Sequence, residues 1–183
     1  MKPTSKYTIG LRFGLLTGLL YVVLLFFRYN FFASNPLSFG LCAITSYLII
    51  LMMYLFTGIA RKKELGGYAD FKEIFTSIFI AILIAEVVYI VFNLVYLKFV
   101  DPSFWENFRA NTLTYLQKKG LTDEQIDQQM KSFKDMNKQT EPLTLLKGYG
   151  ISVIIDCIFG LIFAVILRKA KPVFEEILEE PKQ

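Results

Sequence analysis

Four long apolar runs constrain this chain more than any other feature. They cover roughly residues 9–27, 37–60, 74–97 and 143–167. A helix needs about 20 mostly apolar residues to cross the hydrocarbon core of a bilayer, and each run is long enough. The expected fold class is all-α: an integral membrane four-helix bundle, with an extracytoplasmic amphipathic helical hairpin between spans three and four. The whole chain, residues 1–183, reads as a single membrane domain.

Composition narrows the function classes. The chain is 54% hydrophobic and holds 18 Phe among 183 residues, which fits a membrane protein better than a soluble core. Four spans take up about half of the chain, so no catalytic domain of ordinary size fits beside them. The net charge of +4 is mild and in a membrane chain mostly reflects topology, so no nucleic-acid partner is expected. Histidine is absent, which removes the commonest metal ligand and the commonest general base. Cys42 and Cys157 fall inside apolar runs and read as small packing residues. No phosphate-cradling Gly loop, metal-ligand cluster or nucleophile motif is present in the sequence. No cofactor, no metal site and no enzymatic activity are therefore expected.

Lys2 and Lys6 ahead of an apolar stretch resemble a signal peptide, but the run is too long. The candidate exit Phe31-Phe32-Ala33-Ser34 also puts aromatics where small residues belong, so an uncleaved first span is expected. Basic residues set the topology. Lys2, Lys6 and Arg12 flank the start of span one, and Arg61, Lys62, Lys63 and Lys72 follow span two. Arg168, Lys169 and Lys171 follow span four, whereas the first loop carries only Arg28. The positive-inside rule places both termini and the second loop in the cytoplasm. The connection 98–142 then lies outside, and long loops count little in that rule.

Gly10, Gly14 and Gly18 lie on one face of span one, where missing side chains permit close helix approach. Span four carries a similar row, Gly148, Ser152, Asp156, Gly160 and Ala164, and span two a shorter one, Ser38, Cys42 and Ser46. The rows read as helix-packing faces, and they suggest that spans one and four are direct neighbours. Tyr29, Phe31, Phe32, Tyr96, Phe99, Phe104, Trp105 and Phe108 cluster near span ends and suit an interfacial aromatic belt.

The connection between spans two and three breaks at Gly66-Gly67 and restarts near Phe71, with Asp70 as N-cap and Glu73 in the capping-box position. Its basic residues anchor topology and can touch anionic lipid headgroups. In the outer segment, Asp101 and Pro102 open one helix and Gly120 closes it. Thr122 and Gln125 form the capping box of a second, with Ile126, Met130, Phe133 and Met136 or Asn137 at helical spacing. This amphipathic pair can fold on itself, lie on the membrane or meet a partner.

The four-span layout, the Gly-Gly-Tyr-x-x-Phe turn from Gly66 and Gly67 through Tyr68 to Phe71, and the outer segment Lys118-Lys119-Gly120-Leu121-Thr122-Asp123-Glu124-Gln125-Ile126 together carry a resemblance. The chain resembles a family of small membrane proteins of Bacteroidota catalogued as domain of unknown function 4199. The resemblance covers nearly the whole chain. It implies an inner-membrane location and supplies no activity, cofactor or catalytic residue.

Two carboxylates interrupt the apolar runs. Glu86 lies roughly 16 Å along a helix from Leu97, and Asp156 roughly 12 Å from Gly148. Half a hydrocarbon core is about 15 Å, so both fall near the midplane. Tyr89 and Asn93 share the face of Glu86, and Ser152 shares that of Asp156. These five residues form the candidate intramembrane polar site. In one reading the acids are protonated and hydrogen-bond across helices. In a second they bind or relay a proton or cation. In a third, which ranks last, they pair with a basic group such as Arg12. Intramembrane aspartyl chemistry needs two acids sharing a site, and no accompanying nucleophile geometry is recognisable.

The functional expectation is an inner-membrane scaffold or interaction protein whose outer hairpin contacts a partner or the membrane surface. The expected partners are the lipid bilayer and either a second copy of the chain or a membrane or periplasmic protein. The alternative is a small oligomeric transporter or proton- or cation-linked channel that uses the midplane carboxylates. No Pro-broken span of the kind that builds ion sites in many transporters is present in the sequence.

Overall fold

A computed structural model of the chain describes residues 5–131 and 141–170. Lys2, Lys171, Phe133, Met136 and Asn137, named above, lie outside the described residues. The described residues form helices and no strand. These helices are α1 (Lys6–Phe31), α2 (Pro36–Glu64), α3 (Phe71–Val95), α4 (Phe104–Lys118), α5 (Asp123–Met130) and α6 (Pro142–Leu167). A π-helical turn, Tyr96–Val100, extends α3. Four of them, α1, α2, α6 and α3 with its extension, are long and apolar enough to cross a membrane. The chain thus has the build of a multi-pass membrane protein.

Local chemistry sets the starts. Ser5 caps α1 through Tyr7 N, and Asn35 caps α2 through Leu37 N with Pro36 just inside the helix. Asp70 has the extended N-cap backbone expected of it, but its side chain makes no cap bond. Glu73 does not close a capping box either, because its carboxylate is taken by two cations. Arg61 Nη2 approaches it at 2.5 Å and Lys6 Nζ at 3.0 Å. The box at Thr122 and Gln125 forms as expected. Helix α4 starts at Phe104, two residues after Pro102, with Ser103 preceding it. Asp101 instead accepts a hydrogen bond from Ser103 Oγ.

Helix α3 is the central element. Ile74, Ile78, Ala81, Ile82 and Ala85 are fully buried along it. It packs against α1, α6 and α2, and α2 also touches α1 and α6. The glycine row of α1 therefore faces α3, not span four. A Cβ on Gly10 would lie 2.7 Å from Ser77 O, one on Gly14 3.0 Å from Ala81 Cα, and one on Gly18 2.8 Å from Val88 Cβ. In lipid, helix association depends on such close packing and on interhelical hydrogen bonds. Span four contributes unevenly. A Cβ on Gly160 would lie 3.1 Å from Ile78 Cγ2, whereas nothing lies within 4 Å of a Cβ on Gly148. Gly148 is thus not a packing residue. The outward faces of α1, α2 and α6 are lined by exposed residues such as Leu15, Leu19, Ile44, Leu48, Ile154 and Ile158, the surface that lipid covers.

The two ends of the molecule differ. At the basic end Lys6, Arg61 and Glu73 form the ionic cluster, and residues 66–71 dock on the end of α6. Ala69 and Lys169 exchange two 3.0 Å backbone hydrogen bonds, and Lys169 lies over the Tyr68 ring. Gly66 and Gly67 carry positive φ of 74° and 91°. Phe71 stacks on Phe75 and packs at the margin of the main core. At the aromatic end, Tyr29, Phe39, Tyr96, Phe104 and Phe108 form a buried cluster. Tyr29, Tyr96, Phe104 and Phe108 therefore face inward and are not part of a lipid-facing belt, whereas Phe31 and Phe99 are exposed. Phe104 and Phe108 seat α4 on the ends of α1 and α2. Leu116, Ile126 and Met130 join α4 to α5 across the turn at Gly120.

Candidate functional site

Glu86 and Asp156 face each other at the middle of the α3–α6 contact. Their side chains are within interaction range, and the residues are only 2% and 1% exposed. The hydroxyl of Tyr21 on α1 donates to Glu86 Oε1 at 3.2 Å. The hydroxyl of Tyr47 on α2 donates to Asp156 Oδ1 at 2.8 Å. Tyr54, seven residues further along α2 and on the same face, is fully buried beside Asp156. Ser152 lies beside Glu86. All four long helices thus converge on two carboxyl groups.

The site is only half satisfied. Glu86 Oε2, Asp156 Oδ2 and the Tyr54 hydroxyl complete no hydrogen bond of good geometry. Buried polar atoms normally find partners, and leaving one unpaired costs about 1–3 kcal/mol. Neither carboxylate meets a cation in an ion pair among the described residues. Arg12, the basic residue considered for that role, is exposed.

Space adjoins them. A cavity of about 270 Å³ is lined by Tyr21, Arg28, Ser46, Tyr47, Glu86 and Asp156, among others. A second of about 290 Å³ lies between α3 and α6, against Asn93, Gly148 and Tyr149. Tyr89 and Ser152 line both, so the two cavities adjoin along the half of α3 that leads to the aromatic end. Asn93 is fixed there, accepting from the Tyr29 hydroxyl and donating to Tyr89 O. The five sequence-derived polar residues are therefore brought together, with Glu86, Asp156 and Ser152 at the focus and Tyr89 and Asn93 leading away from it. Gly148 belongs to the wall of the second cavity. Gly10, Gly14, Gly18 and Gly160 serve helix contacts, and the turn at Gly66, Gly67, Tyr68 and Phe71 lies at the opposite end from the cavities.

Sequence reasoning missed Tyr21, Tyr47, Tyr54 and Arg28. A signal was present for the tyrosines, because a hydroxyl inside an apolar run needs a partner once buried. Tyr47 and Tyr54 also stand at the i, i+7 spacing of one helix face. Arg28 read as a loop residue because it follows the apolar run, yet it falls within α1. Cys42 and Cys157 are half-buried free thiols away from the carboxyls' hydrogen bonds.

Two adjacent carboxyl groups ringed by hydroxyls make a hard, oxygen-rich site. It can share a proton between the acids, or hold a cation with the acids ionised. No group of three or more acidic, thiol or imidazole side chains suited to a transition metal occurs among the described residues.

No curated protein and no solved structure matches the chain. A family model does, and it extends over residues 12–169, from the first turns of α1 to the Lys169 bridge. The match takes in every helix and the whole of the polar site. The chain belongs to the family described as "Protein of unknown function (DUF4199)".

Proposed function

We propose that this chain is a small transporter or channel that binds and passes a proton or small cation at Glu86 and Asp156. The observation that carries the reading is the pair of buried acids on facing helices, both lining one polar cavity inside the bundle. The reading of an interaction protein depends on the outer helices offering an apolar face. That face, through Phe104, Phe108, Thr112 and Leu116, is instead buried within the chain. The cavity also lies inside one chain, so a second copy is not needed to complete it.

The membrane setting follows from charge. Lys6 and Arg61 gather at one end with the Lys169 bridge, and Lys62 and Lys63 lie in the same last turn of α2 as Arg61. In the inner membrane of a bacterium this end would face the cytoplasm. The aromatic end, with α4 and α5, would then face the outside.

Proteoliposomes with imposed proton, sodium or potassium gradients test the proposal. The protein is expected to dissipate at least one gradient faster than empty vesicles. The double variant Glu86→Gln, Asp156→Asn should lose that flux while keeping its helix content. Flux unaffected by the double variant, or none above empty vesicles, would refute the assignment.

A further inference from the structure

Arg28 lines the same cavity as Glu86 and Asp156. Its guanidinium stacks over the Phe39 ring, 3.9 Å from the centroid, and its buried Nε makes no hydrogen bond. The cavity therefore has a cationic side chain at one end and two acids at the other. No ion pair joins Arg28 to either acid among the described residues, so opposite charges line one space without meeting, the arrangement that a ligand charged at both ends would bridge.

The two ends are set apart by helix geometry. Arg28 follows Tyr21, which holds Glu86, by seven residues on α1. Phe39, under the guanidinium, precedes Tyr47, which holds Asp156, by eight on α2. At 1.5 Å per residue both offsets give roughly 10–12 Å. A charge-assisted hydrogen bond takes about 3 Å at each end, which leaves about 4–6 Å between the charged groups of a ligand. Leu24, Leu25 and Ile155 supply apolar wall in between. The volume of about 270 Å³ sits at the small end of the range for organic ligands.

Resting on the reading of the acid pair as a cation site, we propose that this cavity binds a small zwitterion of β- or γ-amino-acid type, whose charged groups stand about that far apart. Its ammonium would sit on Glu86 and Asp156, and its carboxylate on the guanidinium of Arg28. The fork of an arginine matches a carboxylate in two parallel hydrogen bonds, whereas a lysine offers a point charge. A bare inorganic cation would use the acids and leave Arg28 idle. A zwitterion uses both ends and brings no net charge into the membrane.

The test is equilibrium binding to the full chain in phosphatidylglycerol nanodiscs, which carry no amine headgroup. The probe is labelled 4-aminobutanoate. Saturable binding is expected, displaced by unlabelled 4-aminobutanoate and far less by its decarboxylated amine, propylamine, or its deaminated acid, butanoate. Arg28→Gln should weaken binding at least about tenfold, as loss of one partner of a buried charged pair does. Arg28→Lys, which keeps the charge and the stem, should retain part of it, and unchanged melting of both variants shows that they fold. The proposal is overturned by absent saturable binding, by the amine alone competing as well as 4-aminobutanoate, or by full affinity in folded Arg28→Gln. Binding that disappears in phosphatidylethanolamine nanodiscs assigns the site to a lipid headgroup and also overturns it. Absent binding with acid-dependent flux intact removes this inference alone, whereas binding without such flux removes the transport reading alone.

Discussion

Replacing Gly14 by alanine adds one methyl group in the middle of the α1–α3 seam. The new Cβ would stand 2.9 Å from Ile84 Cβ, and 3.0 Å from both Ala81 Cα and Ala81 O. Two of these atoms are backbone, so no rotamer change relieves the clash. The helices must separate by about half an ångström or more, and a radial gap of 0.5–1 Å forfeits roughly a quarter to a half of each dispersion contact along the seam. Overpacking of this kind costs about 1–3 kcal/mol. Alanine also gains about 0.8–1 kcal/mol over glycine in helix propensity, which partly masks the loss. Gly148→Ala supplies the correction, because a Cβ there meets nothing within 4 Å. The propensity gain is common to both variants and cancels in the difference. The expected outcome is that Gly148→Ala is as stable as the parent or slightly more so, with Gly14→Ala lower than Gly148→Ala by about 1–3 kcal/mol. Reversible SDS unfolding in mixed micelles measures this. Equal stability of the two variants would show that the glycine row of α1 does not set the α3 seam.

The ionic cluster at the basic end gives a graded pair. Glu73→Gln removes the charge that the nearly buried Arg61 meets at 2.5 Å, and should cost about 1–2 kcal/mol, between exposed and fully buried ion pairs. Lys6→Gln removes the more exposed cation and should cost less than about 1 kcal/mol in the same unfolding assay, and the reverse order would contradict the geometry. At the turn, Gly66→Ala and Gly67→Ala meet no neighbouring atom, so any loss comes from positive φ alone, about 1–2 kcal/mol. Gly67, with φ of 91° against 74°, lies further from the left-handed region open to alanine and should lose more.

Much of the architecture was legible in the sequence because lipid imposes a simple rule. Apolar length reports the four long helices almost directly, and the Thr122–Gln125 box and the Gly66-Gly67 break are local signals that tertiary contacts do not override. Neighbour relations were not legible. Small-residue rows mark a face but not its partner, so the row of α1 suggested span four and found α3. Glu73 shows the same limit at one residue: its spacing from Asp70 suits a capping box, yet two cations from other segments bind the carboxylate instead. In the site, Glu86 and Asp156 stood out because acids are rare in lipid-facing sequence. Their tyrosine partners did not, since tyrosine is ordinary near span ends, and only the fold shows which hydroxyls turn inward.

The position of the acids on α3 and α6 divides the molecule along the helix axes. From Ile74 to Ala85, α3 is fully buried at Ile74, Ser77, Ile78, Ala81, Ile82 and Ala85. Gly58 of α2 approaches Ile74 and Ile78 there, and Gly160 of α6 approaches Ile78. The Lys6–Glu73–Arg61 cluster caps this half. From Glu86 toward Asn93 the same helix lines the two cavities, and the residues around it become Tyr21, Tyr89, Ser152 and Arg28. The acids thus stand at the floor of a polar vestibule and on top of a close-packed plug. A species reaching them from the aromatic end would find the way onward shut by Ile78 and Ile82. For transport, α6 would have to part from α3 around Gly160 and Ala164, where the contacts are with the apolar side chains of the main core. No charged group has to be broken there, because the ionic cluster ties α1 and α2 to α3 and leaves α6 held at that end by the Ala69–Lys169 backbone bridge. On the transport reading proposed above, α6, carrying Asp156, would therefore be the helix that moves, and α3, carrying Glu86, the fixed one.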